Sequence, residues 1–171
     1  MPSVPAPHVP DRYRVGFVCS GNICRSPTAQ VVLQSRVDEA GLPIETISSG
    51  LGDWHVGNRM DDRSADELRR AGYDPDRHRA QQFARNWYDE VDLILAMDQG
   101  HLDALSRELP SGATGRVHLY GEFDPVTPGA EVPDPYYGGP EGFEEVLTMI
   151  ERTTDALVPL VRAALDEAPR P

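Results

Sequence analysis

The first strand-to-helix junction constrains the fold more than any other part of the chain. Tyr13-Arg14-Val15-Gly16-Phe17-Val18 is short, β-rich and almost continuously apolar, the pattern of a strand buried on both faces of a parallel sheet. A glycine-containing loop follows at once. Ser26-Pro27 then marks a helix start, a capping side chain before a ring suited to the first helical position. Ala29, Val32, Leu33, Val37 and Ala40 recur at helical spacing until Gly41 ends the run. A strand that feeds a helix in this way returns to its own sheet by a right-handed crossover.

The alternation continues along the chain. Residues 44–47 read as a second strand, and Asp61 or Asp62 caps a helix carrying Ala65, Leu68 and Ala71 before Gly72. Residues 91–97 give the strongest strand signal, with Asp98 placed to cap a helix bearing Leu102, Leu105 and Leu109. Residues 117–120 form a short fourth strand. From Pro140 a long amphipathic helix carries Phe143, Val146, Leu147, Ile150, Thr154, Leu157 and Val161 on one face, and Pro159 is expected to kink or split it. The expected fold is α/β, a single three-layer domain with helices on both faces of a parallel sheet. A chain of 171 residues buries enough surface for one such domain. Residues 12–166 are read as the domain, 1–11 as a flexible proline-containing arm and 167–171 as a flexible tail.

In sheets of this kind ligands bind at the carboxyl ends of the strands, which directs attention to residues 18–27. The overall charge sets a requirement on any ligand there. Acidic residues outnumber basic ones by 28 to 16, for a net charge of −12, and every basic residue is Arg. That balance argues against nucleic acid as a partner, and an anionic substrate must be drawn by a concentrated local device. No apolar run is long enough to span a bilayer, and no apolar segment behind a basic start opens the chain, so the expected location is cytoplasmic, away from membranes. The five histidines show no ligand spacing, and no metal or other cofactor is expected.

Val18-Cys19-Ser20-Gly21-Asn22-Ile23-Cys24-Arg25-Ser26-Pro27 is that local device. Its amides converge near a helix N-terminus, where anions bind. Five residues between Cys19 and Arg25 allow the chain to curl around a tetrahedral anion, with the guanidinium forking two oxygens and the thiol beneath the central atom. A helix N-terminus and a neighbouring Arg favour the thiolate. Cys19 and Cys24, the only cysteines, are too few and too close for a secreted disulfide framework, which points to catalytic or redox chemistry.

The string resembles the signature of the low molecular weight protein tyrosine phosphatases, and Pro133-Asp134-Pro135-Tyr136-Tyr137-Gly138 resembles that family's acid loop. The resemblance implies a flavodoxin-like strand order 2-1-3-4 and hydrolysis of phosphotyrosine in proteins. It implies Cys19 as nucleophile forming a phosphocysteine, Arg25 as phosphate clamp and Asp134 as proton donor, with no metal. Ser20, Gly21, Asn22, Ile23, Cys24 and Ser26 are then the phosphate-binding loop, with Ser26 donating to the thiolate. Asn22 is the residue that holds the loop's shape, with Ser48 and His78 as its partners. Trp54, Tyr136 and Tyr137 are expected to wall a slot for a flat phenyl ring. Ile23 favours phosphotyrosine, because relatives acting on phosphoarginine carry Thr there.

Two other readings start from the same loop. Thiol-linked arsenate reduction needs further cysteines, and none follows Cys24. A non-catalytic phosphate-binding or redox-sensing module would form a reversible Cys19–Cys24 disulfide without turning over an ester.

Overall fold

A computed structural model describes residues 2–169. Four parallel strands form one sheet in the order β2-β1-β3-β4: β1 Tyr13–Cys19, β2 Ile44–Gly50, β3 Leu93–Ala96 and β4 Val117–Leu119. Between and after them run α1 Arg25–Ala40, α2 Asp62–Arg70, α3 Trp87–Glu90, α4 Gln99–Arg107 and α5 Pro140–Glu167.

The alternation of side chains along β1 and β3 builds both layers. Val15 and Phe17 of β1, with Leu93 and Leu95 of β3, meet Val32, Leu33, Leu68, Ile150 and Leu157 from α1, α2 and α5. Val18, Ile94 and Ala96 face the other way, onto Trp87, Tyr88 and Leu105 of α3 and α4. Gly16 lies on this second side because a Cβ there would fall 2.6 Å from the Trp87 ring. The central strand is thus pressed between two apolar layers, and its C-terminal end emerges at the loop that starts with Ser20.

Several local expectations are corrected. Ser26 does not cap α1: the helix begins at Arg25 with Cys24 in the cap position, and Ser26 turns its hydroxyl toward Cys19 instead. The third strand is shorter than 91–97, because the Val91 amide closes the α3 turn on the Trp87 carbonyl. Tyr120 leaves β4 to begin a 3₁₀ turn, Tyr120–Phe123, that drops the Phe123 ring into the core. Pro159 does not split α5, which runs through it without a break. Pro159 and Asp155 both lie on the exposed face, so the carbonyl that loses its donor meets solvent.

Asp61 and Asp98 cap α2 and α4, each accepting a backbone amide from the first turn. The segment before β1 makes specific contacts along the sheet's lower edge. The Tyr13 hydroxyl donates to the Pro5 carbonyl at 2.9 Å, the His8 amide to the buried Asp92 carboxylate at 2.7 Å, and Arg116 to the Ala6 carbonyl at 3.0 Å. Met1 of the arm and residues 170–171 of the tail lie outside the described residues. No helix among the described residues is long and apolar enough to cross a membrane.

Candidate active site

Cys19 is the last residue of β1, and the chain then curls through 20–24 before α1 begins. Asn22 sits at φ 59°, and it is the single non-glycine residue in the left-handed region among those described. That conformation costs about 1–2 kcal/mol for an ordinary L residue and least for Asn. Its side chain repays the strain. Nδ2 donates to the Ser26 hydroxyl at 2.8 Å and to the Ser48 hydroxyl at 3.0 Å, while Oδ1 accepts the Gln81 amide at 3.0 Å. Ser48 passes its own proton to Gln30 Oε1 at 2.6 Å, and His78 Nε2 donates to the Asn22 carbonyl at 2.7 Å. Burial, partly offset by that bond, lowers the His78 pKa and keeps it neutral.

The end of β2 lies directly under the loop. The amides of Leu51 and Gly52 donate to the carbonyls of Cys19 and Ser20, each at 3.0 Å. Gly50 permits this approach, since a Cβ there would lie 2.8 Å from the Ser20 carbonyl oxygen and 3.0 Å from the Asn22 nitrogen. The Cys19 and Ser20 carbonyls are therefore drawn outward onto the chain just past β2, while the Asn22 amide turns inward to Cys19.

The buried Cys19 Sγ receives the Asn22 amide at 3.3 Å and lies 2.9 Å from the Ser26 hydroxyl. Toward a thiolate the hydroxyl donates, because the anion offers lone pairs alone. Arg25, only 4% exposed, is aimed by Nη1 bonds to Asp98 Oδ2 at 2.8 Å and to the Val132 carbonyl at 3.1 Å. Its Nη2 lies 3.7 Å from Asp134 Oδ2. Burial works against the Asp98 carboxylate, but the His101 amide and the Arg25 guanidinium outweigh it and hold its pKa below the usual range. Burial pushes the Cys24 thiol up to about 12.

These groups open onto a cleft of about 440 Å³ with Cys19 and Arg25 in its floor and Asp134, Trp54, Tyr136 and Tyr137 around it. Trp54 is 72% exposed and Tyr137 90%, so both stand as rim walls rather than core residues. Tyr136 packs edge-on to Tyr137, with ring centroids 4.9 Å apart, and carries the Arg63 guanidinium over its face. All the residues read as loop, clamp, acid, slot and support therefore meet at one place.

Sequence reasoning missed five neighbours. Asp98 was visible as a helix cap, yet it also anchors Arg25. His101, buried, closes a capping box with Asp98 and reaches Ser20, and its spacing from Asp98 was the available signal. Gln30 and Gln81 come from distant segments and carried no local signal. His55 lines the cleft over Gly21.

Such a layout, a buried thiol that receives a loop amide and a hydroxyl, with one arginine beside it and a carboxylate across the mouth, defines an enzyme that cleaves phosphate esters through cysteine. The family model described as low molecular weight phosphotyrosine protein phosphatase matches residues 14–169, and the chain belongs to that family. It is 45% identical over 159 residues to a low molecular weight protein-tyrosine-phosphatase of Streptomyces coelicolor, covering 90% of this chain and 96% of the relative. It is 43% identical over 135 residues to the low molecular weight phosphotyrosine protein phosphatase of Schizosaccharomyces pombe, covering 76% and 85%. Among solved structures, a protein tyrosine phosphatase from Entamoeba histolytica superposes with a TM-score of 0.84 at 29% identity, over 88% of this chain and 97% of that one.

Proposed function

We propose that the chain hydrolyses phosphotyrosine in proteins through a phosphocysteine on Cys19, without a metal. The observation that carries this reading is the position of Cys19 Sγ, under donors from Asn22 and Ser26, beside Arg25 and facing Asp134 across one cleft. The thiolate attacks phosphorus in line with the tyrosine oxygen. Arg25 and the amides of the loop from Ser20 to Arg25 meet the charge on the three equatorial oxygens, the task a metal performs elsewhere. Asp134 gives its proton to the leaving phenolate and then takes one from the water that opens the phosphocysteine.

Asn22, Ser48 and His78 act as supports that hold the loop in its anion-ready curl before substrate arrives. Trp54, Tyr136 and Tyr137 receive the substrate ring at the mouth, and Ile23 lines the same cleft. A phosphoserine places its phosphorus nearer its own backbone and falls short of a buried thiol. A cytoplasmic location belongs to this reading, because the nucleophile works as a free thiolate and both cysteines are free.

The test is phosphate release from phosphotyrosine and phosphoserine peptides in chelator-treated buffer, with Cys19→Ser alongside. Turnover of phosphotyrosine alone, lost in the variant, supports the reading. Absence of turnover with phosphate still bound favours a phosphate-binding or redox-sensing module.

A further inference from the structure

His101 has no part in the chemistry so far, although it is buried and sits at the loop's edge. Its two ring nitrogens are both engaged. Nδ1 lies 3.2 Å from Asp98 Oδ1 and 3.3 Å from the Asp98 amide; of the two, the amide alone meets it in hydrogen-bond geometry, and an amide can only donate, so Nδ1 accepts. Burial, reinforced by Arg25, pushes His101 down to about 4 against the opposing pull of Asp98, Asp134 and Glu131, and the ring carries one proton at neutral pH. That proton is on Nε2, and it points at the Ser20 hydroxyl oxygen 2.9 Å away.

The consequence falls on Ser20. Its oxygen accepts from His101, and the hydroxyl has no second protein partner among the described residues, while Ser20 lines the cleft beside Cys19 and Arg25. The opposite tautomer would turn the Ser20 proton toward the ring, aim only lone pairs at the cleft and leave the Asp98 amide without its acceptor. We propose that the Ser20 hydroxyl is a side-chain donor to the bound phosphoryl group, and that His101 is the positioning residue that turns its proton into the cleft. His101 thereby links the loop's rim to Asp98, and through Asp98 to Arg25, so that both phosphate donors are aimed by one buried ring.

This inference rests on the phosphatase reading, but its test does not depend on turnover. The affinity of the wild-type chain, Ser20→Ala, His101→Asn and the double variant for inorganic phosphate is measured by calorimetry, with kcat and KM on a phosphotyrosine peptide in parallel. Asn at 101 keeps an acceptor for the Asp98 amide and cannot reach Ser20. Loss of one charge-assisted donor predicts about tenfold weaker phosphate binding for each single variant. The double variant is expected to lose no more than either single one, because His101 acts through Ser20. His101→Gln, which restores a donor at greater reach, recovers part of the loss.

Phosphate affinity unchanged in Ser20→Ala overturns the proposal. Losses that add in the double variant overturn the role of His101. If His101→Asn unfolds, the Ser20→Ala measurement still decides whether the hydroxyl binds phosphate. Ser20-dependent phosphate binding by a wild-type chain that turns over no ester would sink the phosphatase reading and leave this one standing.

Discussion

Replacing Asn22 separates the loop's backbone strain from the hydrogen bonds that offset it. Asn22→Ala removes three side-chain hydrogen bonds, two of them buried, at 2.8, 3.0 and 3.0 Å, and leaves the Gln81 amide without its acceptor. At about 1 kcal/mol net for each bond the loss is about 3 kcal/mol. Alanine also bears the left-handed backbone at φ 59°, which adds about 1 kcal/mol. Asn22→Gly loses the same bonds without that strain. The expected losses are therefore about 4 kcal/mol for alanine and about 3 kcal/mol for glycine, within the 5–15 kcal/mol that holds such a domain together. Urea unfolding with a common slope measures both. Both variants should also lower kcat, because Ser26 no longer has the Asn22 donor that turns its proton toward Cys19. Losses below about 1 kcal/mol in both variants, or alanine as stable as glycine, would refute the reasoning.

Other outcomes follow from the same geometry. Asp134→Asn should slow hydrolysis of phosphotyrosine far more than of an ester whose leaving group needs no proton, and equal losses for both esters would remove Asp134 from the acid role. Mild peroxide should oxidise Cys19 to a sulfenic acid that condenses with the Cys24 thiol, releasing water and forming a disulfide; mass spectrometry finding an isolated sulfinic acid on Cys19 would contradict this. The buried Asp124 accepts two 2.8 Å bonds from Arg152, which holds its pKa well below the usual carboxylate range. Its stabilisation is fully present above the unfolded value of about 4 and is lost as pH falls from there through the depressed folded value. Asp124→Asn should cost about 1–3 kcal/mol at pH 7 and flatten the acid limb of a plot of melting temperature against pH; an unchanged acid limb would assign it elsewhere.

What the sequence disclosed was what local patterns encode. The β1–loop–α1 junction, the Asp61 and Asp98 caps and the apolar face of α5 each follow from residues adjacent on one element, and those same patterns place the loop at the strand ends. Ser26 was legible locally as a helix cap and, through the family resemblance alone, as partner of the thiol, and the structure gives it the second role. Gly16 carried no signal on its own, since its need arises from Trp87 across the sheet. Gln30, Gln81 and the Arg25-holding role of Asp98 were equally hidden, because each depends on a distant segment delivered by the sheet. The contacts of the arm with Asp92 and Arg116 belong to the same class: a proline-containing segment without period gives no hint of the carboxylate that receives it.

The most direct test of the account is to quench the enzyme with acid while it turns over a phosphotyrosine peptide and map the bound phosphate by peptide mass spectrometry. The account predicts phosphate on Cys19, absent from Cys24 and absent altogether in Cys19→Ser, which should release no phosphate. Steady turnover by Cys19→Ser, or phosphate found on another residue, would contradict nucleophilic attack by Cys19.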